Sequence, residues 1–389
     1  MYFNPLSRCY SWLSLSGTDN YNKGRFLIAP VEWIQIPMPL FVGFGAKKAA
    51  KRTPARELPS PKIEIFEFSK VVVVGGVDFL FLDDRAIHHD LFVPGEHRCP
   101  AENAGVVSSS KAGSSINLRL TKAVLDIDNG ASLIGQCSGN YAHWLTETLP
   151  KLATLDVLPH FADLPLLVDI GLHQNIMDSI DLINSNKRPV IAIPRWAPMR
   201  VNRLATVSAP GYERYVSHSV AHREPSPYIN IFSRPALSLL RDSVTAALGD
   251  SAMNEPKRIY LSRSVASSSN LRQIVNANEI ECLLDHAGIH IFRPDSMTFK
   301  EQVRVCVNAE LIVGGIGASL ANMIFAPPGC KIVCLSPYYD EANWFYYTNL
   351  AGVLGHQIHF VLGLQTSTQR HPRHRDYVIN LNSLMSLLH

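Results

Sequence analysis

The chain has 389 residues, which is more than one hydrophobic core usually contains, so two domains are expected. Hydrophobic residues make up 47% and charged residues 18% of the sequence, a balance that excludes a disordered chain. The formal net charge of +3 argues against broad binding of nucleic acid.

The first 60 residues show no clear hydrophobic period, and the sequence assigns them no fold. The start of the chain lacks the features of a secretory signal. The sequence contains no run of about 18 apolar residues, so no membrane span is predicted. A short basic run has two interpretations, a solvated loop or a site for anionic lipid, and the loop is favoured. This run consists of Lys47, Lys48, Lys51 and Arg52.

Strand and helix signals become clear after residue 60. The apolar runs on either side of Gly75 and Gly76 predict a hairpin. A helix is expected from Tyr141, with its leucines inward and a bend at Pro150. Strands are also predicted at residues 132–134, 165–169 and 190–193, and a helix at residues 175–184. Because short apolar strands alternate with helices, the pattern favours a parallel sheet.

A polar, proline-bearing segment at residues 218–229 is the predicted linker between a domain at residues 1–217 and a domain at residues 230–389. The second domain continues the α/β pattern, and its C-terminal tail is expected to pack back on the first. Ser296 is the expected cap of one of its helices. The predicted helices span residues 235–248, 277–287, 299–308 and 319–325, and the strands residues 258–261, 289–292, 311–313 and 331–335.

A histidine and a carboxylate lie four residues apart at the start of the helix from Tyr141. At this spacing His143 and Glu147 occupy one helical face. A proton acceptor beside a carboxylate can activate a hydroxyl nucleophile near neutral pH. Two other interpretations stay open: a buried imidazole bonded to backbone, and a Glu147 that is solvated or pairs with Lys151.

A glycine-rich loop, residues 314–317, follows a predicted strand of the second domain. Ligands of open parallel sheets bind at the carboxyl ends of the strands, where glycines allow a close approach of the backbone. Arg263 and Arg272 follow another strand and could neutralise a diphosphate. The loop is neither GxGxxG nor a Walker loop. A packing turn and surface ion pairs are the alternatives.

Three segments, in this order and spacing, resemble glycosyltransferase family 61: GNYAHWLTETLPKL, YLSRS with LRQIVNANEIECLL, and IVGGIGASLANMIFAPPG. The resemblance covers about residues 133–337. It implies a GT-B-like α/β fold, with two Rossmann-like domains facing a central cleft. It also implies an inverting hexosyl- or pentosyltransferase of surface polysaccharide synthesis, with a nucleotide-sugar donor on the C-terminal domain and a saccharide acceptor on the N-terminal one.

The resemblance transfers roles to individual residues. On the acceptor side Asn140, His143 and Glu147 match the family motif, with the last two expected to be catalytic. The expected donor-binding residues are Arg263, Arg272, Glu279, Gly315, Gly317, Ala318 and Asn322. Three positions depart from the family pattern: Ile316 replaces a histidine, Ala277 an acid and Cys334 a glutamate.

Either His143 or Glu147 would deprotonate the acceptor hydroxyl, and the favoured version uses a neutral His143 oriented by Glu147. Arg263, Arg272 and the helix after Gly317 would stabilise the leaving diphosphate without a metal. No cofactor is expected beyond the donor, which is expected to be UDP-linked. Asp126 and Asp128, on alternate residues of a strand-like segment, are a less favoured pair of metal ligands.

Two other classes of function stay open. One is a catalytically silent nucleotide- or glycan-binding protein of the same fold, suggested by the three departures. The other is a phosphorylase or nucleotide-sugar epimerase on a similar frame.

The seven cysteines form no CxxC pair or zinc-like cluster and fit reduced thiols in the cytoplasm. Peripheral association of the protein with the inner face of the membrane is a further alternative.

Overall fold

The computed structural model describes residues 6–94, 96–97, 100–110, 114–120, 124–213, 230–249, 255–263, 272–366 and 369–388. The fold is α/β. The α-helices of this part of the chain, in chain order, are α1 (Ala46–Arg52), α2 (Pro100–Asn103), α3 (Tyr141–His143), α4 (Leu149–Leu155), α5 (Gln174–Ile183), α6 (Arg234–Leu248), α7 (Ala277–His286), α8 (Phe299–Val307), α9 (Phe345–Leu354) and α10 (Leu381–Met385).

The strands are β1 (Leu6–Ser14), β2 (Gly24–Ala29), β3 (Glu32–Ile36), β4 (Leu40–Gly43), β5 (Arg56–Ser60), β6 (Ile63–Val74), β7 (Leu80–Leu82), β8 (Arg85–His88), β9 (Val107–Ser109), β10 (Ser115–Leu120), β11 (Leu125–Ser132), β12 (Leu166–Asp169), β13 (Val190–Ile193), β14 (Pro198–Val207), β15 (Gly211–Glu213), β16 (Asn230–Phe232), β17 (Arg258–Leu261), β18 (His290–Phe292), β19 (Leu311–Gly315), β20 (Lys331–Pro337), β21 (Gln357–Gln365) and β22 (Tyr377–Val378).

The chain divides into two compact units, each made of two stretches. The first unit contains Met1–Glu32 and Ser60–Leu240, and the second contains Trp33–Pro59 and Arg241–His389. The predicted linker, residues 218–229, lies outside the described residues, so the predicted domain boundary stays a prediction.

The first unit has a mixed sheet in the order β13-β12-β11-β14-β6-β7-β8-β1-β10-β9, with β2 also paired to β6. Only β13-β12-β11-β14 and the pair β8–β1 are parallel, and the other pairs are antiparallel. The expectation of a parallel sheet therefore holds in the second unit but only in part here. The reason is that β6, β7 and β8 follow one another through tight turns, which permit antiparallel pairing only.

The second unit has a parallel sheet in the order β18-β17-β19-β20-β21. β4 adds to the free edge of β21 in parallel, and β22 pairs with the last residues of β21 in antiparallel. The central strands are almost wholly buried, as expected of strands covered on both faces. After β17 the chain adds β18 on one side of it and then β19, β20 and β21 on the other. This is a doubly wound strand order, and its reversal point lies between β17 and β19.

Residues 33–59, which the sequence leaves unassigned, belong to this second unit. Phe41 of β4 lies between the rings of Phe360 and Trp344, with centroids 5.0 and 5.4 Å away. Arg56 lies over the ring of Phe345, at 4.5 Å from its centroid. These contacts, with the pairing of β4 and β21, attach the segment to the sheet.

The C-terminal tail also belongs to the second unit, and its expected packing on the first domain stays a prediction. Leu384, Leu387 and Leu388 are buried in the same cluster as Val313 and Leu335 of the parallel sheet. Apolar burial within the unit therefore accounts for the position of the tail.

The structure confirms most predicted elements of both halves, with some local differences. β11 ends at Ser132, so the strand predicted at residues 132–134 lies almost entirely outside a strand. α8 is capped by Thr298, which forms a capping box with Glu301, and not by Ser296. Ala318–Phe325 is a 3-10 helix. The basic run lies in helix α1 instead of a loop. Within the described ranges, no helix is both long and apolar enough to cross a membrane.

Candidate functional site

The helix that carries His143 is interrupted by a wider turn. Asn140 caps α3 by accepting a hydrogen bond from the Ala142 amide, 3.1 Å away. A π-helical turn, Trp144–Thr148, then separates α3 from α4. The expected bend at Pro150 stays a prediction. The structure shows a π turn just before this proline, which has no amide hydrogen to donate within the helix. Such turns are frequent at functional sites, and this one carries Glu147.

His143 is held between two carboxylates of the first unit. Its Nδ1 lies 2.9 Å from Oε1 of Glu147, and its Nε2 lies 3.1 Å from Oε2 of Glu213. The Glu213 amide donates to the same Glu147 oxygen, at 2.9 Å. The exposed fraction of the side chain rises from 6% at His143 to 18% at Glu147 and 40% at Glu213. We call these three residues the histidine–carboxylate triad.

The short strand β15 brings Glu213 to the triad. It starts at Gly211, where an added Cβ would lie 2.5 Å from the carbonyl oxygen of Thr146 in the π turn. Only glycine permits this close approach of the two backbones. Glu213 could not be predicted from the sequence, because a single glutamate before the predicted linker has no local pattern around it.

The two carboxylates determine the protonation of His143. Burial by itself lowers the pKa of His143, but the charges and hydrogen bonds of Glu147 and Glu213 outweigh it and raise the pKa to about 10. The imidazole is therefore protonated at neutral pH. This argues against the favoured version of the sequence analysis, in which a neutral His143 takes the proton from the acceptor. Of the two carboxylates, Glu213 is the more exposed.

A polar pocket adjoins the triad in the first unit. Glu147 lines it together with Asp78, His89, Lys151 and Tyr212, around about 350 Å³ of open space. Burial raises the pKa of Asp78 to about 6 and lowers that of Lys151. Glu147 contacts His143, and no ion pair joins it to Lys151 among the described residues, but its charge partly opposes the burial that lowers the pKa of Lys151. The wall combines hydrogen-bond donors and acceptors, as the hydroxyl groups of a sugar require.

The second unit has a separate site at the reversal point between β17 and β19. Arg263 follows β17, and Gly317 follows β19. A Cβ at Gly317 would overlap Nη2 of Arg263, so the absent side chain leaves room for the guanidinium. The hydroxyl of Tyr347 donates to the Gly317 carbonyl, at 2.7 Å. Burial, and then the charge of Arg272, lower the pKa of Arg263. A buried guanidinium beside a second one is an anion-binding arrangement.

Two further arginines line a pocket at this edge of the sheet. Arg272, Arg373, Ile316 and Trp344 surround about 210 Å³ of open space. The structure gives Arg272 and Arg373 no ion pair with a carboxylate in the parts of the chain that it describes, and Nε of Arg272 is buried without a hydrogen-bond partner. Arg272 also has a positive φ of 67°, which is unusual for a side chain other than glycine. The sequence analysis misses Arg373, which lies in the basic stretch 370–375.

Comparison with protein families identifies the chain. The family model Glycosyltransferase 61 matches residues 141–333, about half of the sequence. The protein belongs to the glycosyltransferase 61 family. A search of curated proteins gave no match. The matched segment begins at the first residue of α3 and ends within β20, so it includes His143, Glu147, Glu213, Arg263 and Arg272. Family membership supports sugar transfer, with sugar donor and acceptor substrates, as the activity.

The remaining residues expected to bind the donor have different positions. Gly315 ends β19 and Ala318 starts the 3-10 helix, both at the edge that holds Arg263. Glu279 is exposed in the first turn of α7. Asn322 is fully buried and donates from Nδ2 to Oε1 of Gln302, at 3.0 Å. A buried amide with this partner supports the fold and does not contact a ligand, which corrects the expectation for Asn322.

The three departures from the pattern of glycosyltransferase family 61 also differ in position. Ile316 lines the pocket of Arg272 and Arg373. Ala277 is the first residue of α7, and Cys334 is fully buried within β20. Of these three, Ile316 is therefore the one that lines a pocket. Among the described residues, no group of three or more His, Cys, Asp or Glu side chains is arranged to hold a metal ion.

Proposed function

We propose that this family 61 protein is an inverting glycosyltransferase that moves a sugar from a nucleotide-sugar donor to a hydroxyl of a saccharide acceptor. The observation that carries the proposal is the packing of the Arg263 guanidinium on Gly317 at the reversal point of the parallel sheet. Ligands of doubly wound sheets bind at this point. The neighbouring Arg272 and Arg373 add charge that a diphosphate would neutralise.

The triad supplies the acceptor chemistry in this proposal. The Glu213 carboxylate takes the proton of the acceptor hydroxyl, and the oxygen forms a bond to the anomeric carbon as the bond to the diphosphate breaks. Because attack is from the opposite face, the configuration inverts. His143 keeps its proton, and Glu147 holds its Nδ1–H. The arginines stabilise the charge on the leaving nucleoside diphosphate.

Several finer points stay predictions. They are the GT-B arrangement of two Rossmann-like domains, a shared cleft for His143 and Arg263, and a UDP-linked donor used without a metal. The role in surface polysaccharide synthesis, the hexosyl or pentosyl specificity and the cytoplasmic location also stay predictions.

The test is a panel of nucleotide sugars, assayed for transfer to saccharide acceptors and for binding by calorimetry. We expect one donor to give a new glycosidic bond with inverted configuration. Binding without turnover would favour the silent binding protein. A product without a new glycosidic bond would favour an epimerase or a phosphorylase.

Variants separate the two sites. Arg263→Met should raise the donor KM by about 10- to 100-fold, because a charge-assisted contact to phosphate contributes about 1.5–3 kcal/mol. Gly317→Ala should also raise the donor KM, because the added methyl group displaces the Arg263 guanidinium.

His143→Ala should abolish transfer while donor affinity stays nearly unchanged. Arg304→Met, which removes a surface arginine paired with Glu255, is the control. Equal effects of Arg263→Met and Arg304→Met would contradict the donor assignment.

A further inference from the structure

Exposed apolar side chains are concentrated in one short segment of the second unit. Trp33, Met38, Leu40 and Phe44 are exposed by 60%, 56%, 49% and 52%. Single exposed apolar residues are normal on a protein surface, but four within twelve residues require an explanation. Leu40 is the first residue of β4 and Phe44 directly follows its last residue, and β4 is paired only to β21 in the described chain.

The net positive charge of the protein is accounted for by the same segment. Residues 33–59 contain five Lys and Arg and one Glu, a net charge of +4, whereas the complete chain has +3. Ala49 is the buried residue of α1, so the helix turns its other side outward. That outer side carries Lys47, Lys48 and Lys51, which are exposed and form no ion pair among the described residues.

Three contacts attach this surface to the rest of the second unit. The ring of Phe44 packs edge-on against Tyr338, with centroids 5.6 Å apart, and the Phe44 amide donates to the Leu362 carbonyl, at 2.9 Å. Arg52, at the end of α1, donates to the carbonyl of Asp340. With these contacts, the Phe44 side chain is half exposed to solvent and is not part of the core.

We propose that Leu40, Phe44, Lys47, Lys48 and Lys51 form a basic–apolar patch that binds the surface of an anionic lipid bilayer. Apolar side chains that enter the headgroup region, flanked by lysines that attract acidic lipids, are the two components of peripheral membrane binding. An acidic protein partner would complement the lysines but would leave the apolar residues unmatched. The proposal favours the anionic-lipid interpretation of the basic run over the solvated-loop one, and it does not depend on the proposed sugar transfer.

The experiment measures co-sedimentation of the full chain with vesicles of phosphatidylcholine alone and of an equimolar mixture with phosphatidylglycerol. We expect binding to the mixture only, weakened by salt. The triple variant Lys47→Ala/Lys48→Ala/Lys51→Ala should bind about 100-fold more weakly, since each lysine near an anionic surface contributes a factor of about five. Alanine preserves the helix, so the fold is kept.

The matched control is Lys23→Ala/Lys70→Ala/Lys300→Ala, which removes the same charge from three exposed lysines elsewhere. Phe44→Ala should weaken binding, and Leu125→Ala, at a residue exposed by 60% in the first unit, should not. Equal losses in the two triple variants, or equal binding to neutral vesicles, would overturn the proposal. So would a lipid-free dimer that Phe44→Ala dissociates, because the occupant of the patch would then be a second copy of the chain.

Discussion

At the scale of single residues, the triad shows how neighbours change the role of a histidine. The spacing of His143 and Glu147 predicts their contact, and the structure confirms it at 2.9 Å. The second carboxylate, Glu213, changes the chemistry, because an imidazole between two acids keeps its proton. The sequence therefore identifies the pair, whereas the charge that His143 carries depends on Glu213, which no local pattern marks.

The raised pKa of His143 makes a prediction about stability. A histidine whose pKa rises from 6.5 to about 10 on folding contributes stability that is fully present below about pH 6.5 and is lost as the pH rises towards 10. His143→Gln should lower the free energy of unfolding most at about pH 6 and least at about pH 10. Urea denaturation at a series of pH values measures this. His160→Gln, at a half-exposed histidine, is the control. A constant difference between His143→Gln and the wild type across the pH range would contradict the charged triad.

Burial decides which motif residues can contact a ligand. Gly317 and Asn322 both match the glycine–alanine block of the family, yet Gly317 adjoins the Arg263 guanidinium and Asn322 is enclosed in the core. A motif match gives the residue type and position but not the direction of the side chain. This is why Asn322 could not be separated from the binding residues by sequence alone.

At the scale of elements, the two units differ in how far the sequence could predict them. The strands and helices of the second unit alternate in chain order and carry local signals such as the capping box of α8. The pairing of β14 with β6 in the first unit joins residues more than 100 positions apart, for example Arg203 with Ser69. Hydrophobic period does not encode the partner of a strand, so the mixed sheet could not be predicted.

The contact between β15 and the π turn gives a prediction at this scale. Gly211→Ala places a Cβ against the Thr146 carbonyl, a backbone atom that cannot turn away. We expect a loss of about 1–3 kcal/mol in stability, as for overpacked cores. The displaced Glu213 should also lower kcat while donor affinity is kept. Gly139→Ala, where an added Cβ meets nothing within 4 Å, is the matched control. If Gly139→Ala and Gly211→Ala have the same kcat and Tm, β15 does not position the triad.

At the scale of the whole molecule, each compact unit is assembled from two separate stretches of chain. The second unit includes Trp33–Pro59, far from the rest of its sequence. Composition could not reveal this, because β4 has only four residues and its partner is near the C-terminus. The domain prediction from the linker assumes that each domain is one continuous stretch of chain. A segment that joins a distant unit cannot be predicted on that assumption.

Phe41 tests whether the early segment stabilises the late one. Its side chain is 7% exposed and stacks on Phe360, so Phe41→Ala should cost about 3–5 kcal/mol. Tryptophan fluorescence during urea denaturation reports the change, because Trp344 contacts the same ring. Leu40→Ala, in the same strand but half exposed, should change stability by less than about 0.5 kcal/mol. Similar small losses for both variants would mean that β4 adds little to the second unit.

The position of β4 has a consequence for biosynthesis. Leu40 pairs with His359, and 359 − 40 places the two partners 319 positions apart. At about 5–20 residues per second, translation separates their release from the ribosome by roughly 16–64 s. During that interval the face of Phe41 has no partner strand to cover it. The nascent chain is therefore expected to depend on chaperones until translation is nearly complete, and a ribosome stalled before residue 357 would yield a product with an unpaired, aggregation-prone strand near its N-terminus.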